Sequence, residues 1–226
     1  MNNDRPENST RTFRERLQTL KNQGCNLLIT GEIREGVSQQ LTRKMLGDPE
    51  LSRTRILALT DQDRADVPNL LPSGVAATDD GVHVVDPEFG TRSATTTASG
   101  SRTDRGWGRS DLDDLQSALC NVITTAKIAE SGFDPAELRV SLFTLSYLVN
   151  QHEPAAVERF VGAVSDHVRG TSGMAHYHLP LPDDSKTVRR LSPLFDARIE
   201  LRETNGRPEQ RWHFPGCEEP TAWVAL

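Results

Sequence analysis

Residues Asn26–Leu46, NLLITGEIREGVSQQLTRKML, decide how the chain is read. The apolar run Leu27-Leu28-Ile29 has the length of a buried parallel strand, the residues after it form a loop bounded by Gly31 and Gly36, and a helical pattern follows. This predicts a strand–loop–helix unit. Against the phosphate-cradling pattern G-x-x-x-x-G-K-[ST], the loop supplies Gly31, four residues, Gly36, then Val37 in the lysine's place, then Ser38. Backbone amides at a helix N-terminus hold phosphate in such loops, and the lysine serves the β- and γ-phosphates. Val37 has no charge to offer. Glu32 and Glu35 add negative charge, which Arg34 offsets only in part.

Upstream of this unit, Phe13, Leu17 and Leu20 mark a short amphipathic helix that stops near Gly24, preceded by a polar tail over 1–10. After the loop a helix runs to about Leu46 and is closed by Gly47-Asp48-Pro49. A second buried strand spans Arg55–Thr60 and ends at Asp61, completing a right-handed βαβ unit. Val82–Val85 reads as a short edge strand. Gly90–Ser110 loses all periodicity and is rich in Ser, Thr, Gly and Arg, so a flexible loop is expected, with Trp107 as its one potential anchor.

Order returns at Asp111. Leu112, Leu115, Leu119, Val122 and Ile123 form the stripe of a long helix capped by Ser110 or Asp111. Strands are expected at Val140–Ser146, Met174–Leu179 and Ala197–Leu201, with helices over Pro154–Val168 and Ser185–Leu194 between them. Gln210–Phe214 returns as a hairpin partner after the turn Asn205-Gly206. Alternating strands and helices that end in a hairpin predict an α/β three-layer sandwich with a mainly parallel sheet, as a single domain over 11–226.

Composition bounds the function. The net charge is −6, and lysine occurs only at 21, 44, 127 and 186. An acidic, lysine-poor chain suggests a halophilic source, and its charge argues against sequence-independent nucleic-acid binding, which requires a basic surface. The N-terminus lacks a signal-type apolar core and no stretch approaches a membrane span, so a cytoplasmic location is expected. Cys25, Cys120 and Cys217 lack paired spacing and are read as buried or idle thiols.

Two readings of Gly31–Ser38 are open: its amides bind an anion, or it is a tight strand-to-helix turn kept for folding. Asp61 at a strand's carboxyl end is either a site carboxylate or a turn carboxylate. His176 and His178, two apart on one strand, share a face and are weak metal candidates. No third ligand has suitable spacing, although His152, His167 or His213 could be brought near by the fold.

From about Leu20 to His213 the chain resembles the RecA/KaiC-like branch of P-loop ATPases, and it is similar to short haloarchaeal proteins with an inactivated domain of that group. In active relatives the strand after the loop-bearing helix ends in a catalytic acid, and here Thr60-Asp61 stands there. A later strand in such relatives carries a magnesium-orienting aspartate in the style of D-S-L-S. The matching stretch is Phe143-Thr144-Leu145-Ser146, with Phe143 at the aspartate's place. The stretch Leu191–Leu201, with Asp196 in it, is similar to their terminal pattern. The resemblance implies a RecA-like fold without catalysis, acting as a regulatory or protein-interaction module in signal transduction, with an unidentified protein partner and no cofactor. Oligomers are compatible with it. The alternative is an atypical ATPase binding ATP and magnesium, in which Arg34, Lys44 or a partner's arginine replaces the lost lysine and Asp61 is the base. With a RecA-like fold, Val37→Lys is expected to raise anion affinity without restoring turnover, since Phe143 still stands at the aspartate's place.

Overall fold

The structure is a computed structural model, and it describes residues 5–60, 66–86, 109–143 and 145–226. Asp61, Thr144, Trp107 and most of the expected Gly90–Ser110 loop lie outside the described residues.

The first helix, α1 (Arg5–Gln23), begins well inside the stretch expected to be a tail. Pro6 does not interrupt it, because the amides of a first helical turn have no intrahelical acceptor to lose. Strand β1 (Cys25–Thr30) follows, buried along its whole length. Next come α2 (Glu35–Met45), β2 (Thr54–Leu59), a one-turn helix α3 (Val67–Leu70) and β3 (Val82–Val85). Helix α4 (Arg109–Ala129) starts before the expected caps, so Ser110 and Asp111 sit in its first turn.

Strand β4 (Leu138–Phe143) ends earlier than the sequence suggested, and the residues after it form α5 (Leu145–Gln151). The run Leu145-Ser-Tyr-Leu-Val149 is short and apolar, and periodicity does not separate strand from helix over so few residues. Helix α6 (Pro154–Arg169) and β5 (Met174–His178) follow. Helix α7 (Lys186–Leu191) is capped by Ser185, whose hydroxyl accepts the Val188 N–H, and it runs into a 3₁₀ turn at Ser192–Leu194. The chain closes with β6 (Ala197–Thr204), β7 (Arg207–His213) and a two-residue β8 (Val224–Ala225) that the sequence did not reveal.

The strands form one sheet in the order β3-β2-β4-β5-β1-β6-β7-β8. The pairings from β3 to β6 are parallel, and β6-β7-β8 are antiparallel. Both faces are covered, as a parallel sheet requires. On one face Leu28, Ile56, Val140, Leu142 and Tyr177 pack against α4, α5, α6 and α7. On the other, Leu27 and Ile29 meet Val37 and Leu41 of α2 and the Phe13, Leu17, Leu20 stripe of α1. Leu57, Leu59 and Phe143 meet α3 on that same side. The result is compatible with a three-layer sandwich ending in the expected hairpin. Among the described residues no helix is long and apolar enough to cross a membrane.

The connections place the site. From β1 the chain leaves through α2 toward β2, whereas from β5, the neighbour of β1, it crosses through α7 on the opposite face to reach β6. Chain direction across the sheet therefore reverses between β1 and β5, and the crevice at their carboxyl ends is where open α/β sheets place ligands.

Candidate functional site

The loop after β1 lies at this crevice, and its first glycine is fixed by packing. Gly31 has φ +111°, and a Cβ there would stand 2.1 Å from the Leu201 carbonyl oxygen. Its N–H donates to Leu181 O at 2.9 Å, so that amide is engaged within the protein. Gly36 is different: a Cβ would meet nothing within 4 Å. No close approach of protein requires that glycine.

Helix α2 begins at Glu35, which leaves a tight connection after the strand. The N–H groups of Val37 and Ser38 both turn back to Arg34 O, at 3.0 and 3.5 Å. The amides of Glu35 and Gly36 remain at the helix end. Arg34 holds Glu203 of β6 with two guanidinium contacts, Nε donating to Oε2 at 2.9 Å and Nη2 to Oε1. That pairing holds the Glu203 carboxyl below its ordinary range. The loop's one cation is thus spent on a carboxylate.

Val37, in the lysine's place of the loop pattern, is packed into the core. Its side chain is 6 % exposed and lies in the apolar cluster of Ile29, Leu41 and Ile199. The valine side chain points into the core, away from the loop amides of Glu35 and Gly36 that remain at the helix end. Lys44 is exposed near the other end of α2, roughly 13 Å along the axis from Glu35 at 1.5 Å per residue, and it does not reach the loop end.

Phe143 is 2 % exposed, in a cluster with Leu46, Leu57 and Leu59, and its ring lies 4.9 Å from that of His178. It fills the core under α2 and α3. His176 and His178 do share a face, with ring centroids 5.5 Å apart, but both are buried. His178 Nε2 is 2.9 Å from Thr42 Oγ1 of α2. Burial pushes the His178 imidazole down to about 3, and burial followed by the neighbouring His178 and Arg139 takes His176 well below its usual value. Both are neutral. Among the described residues no third metal-ligating side chain joins the pair.

The fold instead brings together a set that sequence spacing did not reveal. Asp183 in the β5–α7 connection, Glu200 on β6 and His213 on β7 place ligand atoms within 4.8 Å of one another. Their chemistry suits a divalent metal, yet the atoms are already engaged. Thr30 Oγ1, at the end of β1, donates to Asp183 Oδ1 at 2.7 Å, and Arg198 Nη2 donates to Oδ2 at 2.8 Å. Glu200 Oε2 accepts from Arg211 Nε at 2.6 Å and lies 2.8 Å from His213 Nε2. His213 Nδ1 is 3.0 Å from Arg198 Nη2, and Arg198 Nη1 donates to Ser192 Oγ. A metal would have to displace two guanidinium groups, so the residues do not fit one. The cluster instead ties β1, the β5–α7 connection and the hairpin together.

One signal for this ladder was present in the sequence. Arg198, Glu200 and Arg202 alternate along β6, and Glu209, Arg211 and His213 along β7, which puts each set on one face. Their cross-strand registers are Arg198 with His213, Glu200 with Arg211 and Arg202 with Glu209. The indole of Trp223 lies against this ladder, 4.0 Å from the Arg202 guanidinium carbon and 4.5 Å from that of Arg211.

A protein family described as of unknown function, DUF7504, matches residues 24–201. The match spans the loop after β1, Phe143, Asp183 and Glu200, and stops before Arg211 and His213. No curated protein matches the chain.

Proposed function

Since the chain belongs to that family, whose description carries no activity, we propose from the site that it is a non-catalytic, RecA/KaiC-like domain acting as a regulatory or protein-interaction module, with signal transduction as its setting. The observation that carries this reading is the burial of Val37 in the core at the position where a phosphate loop places its lysine. Phosphoryl transfer depends on charge placed around the transferred group. Here Arg34 is bound to Glu203, Phe143 is packed against His178, and two carboxylates, Glu32 and Glu35, are exposed on the loop. Each of these works against a triphosphate with magnesium. No observation favours the ATPase alternative.

Calorimetric titration with ATP and magnesium, together with a phosphate-release assay, tests the reading. The expected result is no saturable binding and no turnover. Micromolar binding accompanied by hydrolysis would overturn it.

A further inference from the structure

At the opposite, amino-terminal edge of the sheet, three arginines gather under the end of α2. Arg139 Nη1 donates to Met45 O at 3.4 Å and contacts Met174 Sδ at 2.9 Å. Arg55 donates from Nε to Leu46 O, from Nη2 to Asp48 O and from Nη1 to Arg53 O. Arg53 Nη1 donates to Ala136 O at 2.6 Å. Every oxygen acceptor here is a backbone carbonyl. Asp48 and Asp79 act on Arg55 from a distance, but among the described residues no carboxylate forms an ion pair with any of the three.

This leaves charge uncompensated in a largely buried place. Arg55 is 5 % and Arg139 7 % exposed. The carboxyl end of a helix supplies only about half a negative charge against three positive ones. Burial, and then the neighbouring Arg53, push the Arg139 guanidinium down to about 10 and lower that of Arg55. Isolated buried cations are costly, and proteins pair them.

Two donors are also unused. The Nε–H groups of Arg53 and Arg139 are buried without an acceptor. Both lie beside Gly47: a Cβ there would lie 3.5 Å from Arg53 Nε and 3.9 Å from Arg139 Nε. Gly47, at φ +85°, is half-buried and lies at the edge of this notch.

We propose that the notch beside Gly47 is a binding site for a phosphate-class oxyanion, held by the Nε–H groups of Arg53 and Arg139 with Arg55 adding charge. A doubly charged tetrahedral anion matches three unpaired guanidinium groups better than a single carboxylate does, and guanidinium is the side chain suited to oxyanions. The site lies away from the β1 loop and goes beyond the reading above. It gives the domain a ligand at the end of α2 remote from the crevice.

Titration calorimetry with inorganic phosphate, at ionic strength held constant with chloride, tests it. The expected result is saturable binding, weakened about tenfold or more in Arg53→Gln, which loses one charge-assisted donor. Arg34→Gln, at the other end of α2, should bind as the parent does. Arg53→Lys, which keeps the charge and loses Nε–H, serves as a second variant and should also bind more weakly. Equal or tighter binding of sn-glycerol 3-phosphate identifies the ligand as a terminal phosphoryl group, and preference for inorganic phosphate identifies the free ion. Absence of saturable heat with the parent protein, or unchanged affinity in both Arg53 variants, overturns the proposal. Neither outcome bears on ATP at the β1 loop.

Discussion

Asn26 and Asp196, 170 residues apart, exchange two hydrogen bonds: the Asn26 N–H donates to Asp196 Oδ2 at 2.7 Å, and the Asp196 N–H donates to Asn26 O at 2.9 Å. Arg169, at the end of α6, adds Nη2 donors to both oxygens of the same carboxylate at 3.2 and 3.1 Å. The carboxylate thus fixes where β6 begins beside β1. Asp196→Ala should cost about 2 kcal/mol, since it leaves the Asn26 amide and a guanidinium without their partner. Urea unfolding measures this, and a cost below about 0.5 kcal/mol, as at an ordinary surface position, would contradict it.

The two loop glycines should respond in opposite directions. Gly31→Ala drives a Cβ into the Leu201 carbonyl at a positive φ and should cost a few kcal/mol. Gly36→Ala meets nothing within 4 Å and replaces glycine in the first turn of α2, so it should be neutral or stabilising by up to about 1 kcal/mol. Thermal unfolding of both variants compares them. Equal losses would indicate that Gly36 also has a close backbone neighbour.

Val37→Lys should destabilise by roughly 3 kcal/mol and leave phosphate affinity at the β1 loop unchanged, because the ammonium enters the cluster of Ile29 and Leu41. Denaturant titration and calorimetry on the same sample read both quantities. A stable variant with new anion affinity at the loop would return the position to a phosphate-binding role.

Stability should fall on mild acidification. His176 and His178 are neutral when folded because burial depresses their values, while unfolded imidazoles take up protons near 6.5. The unfolded state therefore binds more protons below pH 6.5, and stability unaffected above that pH is lost as pH falls from 6.5 toward 3. Each imidazole contributes a slope of up to about 1.4 kcal/mol per pH unit. His83, also lowered by burial, acts in the same direction. Between pH 6.5 and 5, before carboxylates titrate, urea midpoints should drop, and His178→Gln should flatten the drop. An identical slope in that variant would refute the assignment.

Zinc or manganese should leave the unfolding midpoint unchanged, because Thr30, Arg198 and Arg211 already occupy the Asp183 and Glu200 oxygens. Differential scanning calorimetry with and without each ion checks this. A stoichiometric, saturable rise lost in His213→Ala would make the triad a metal site.

Local pattern was enough for much of the architecture. The apolar runs at Leu27–Ile29 and Ile56–Leu59, the stripe from Leu112 to Ile123 and the Asn205-Gly206 turn identify their elements without reference to the rest of the chain, because strand and helix periods are written into neighbouring residues. The same logic failed at Leu145–Gln151, where a β-like apolar run folds as α5, and at β8, whose two residues carry no period. Only tertiary structure decided the site. The i, i+4, i+8 spacing of Val37, Leu41 and Met45 marks an apolar helix face, but which strands that face covers is set by the sheet. His213 gained its partners only when the hairpin and the β5–α7 connection met, and Arg34 found its carboxylate 169 residues away. These features depend on which strands neighbour each other and in what register. A local run of residues specifies a helix or a strand, but the neighbour it will face is chosen by the packing of the whole sheet.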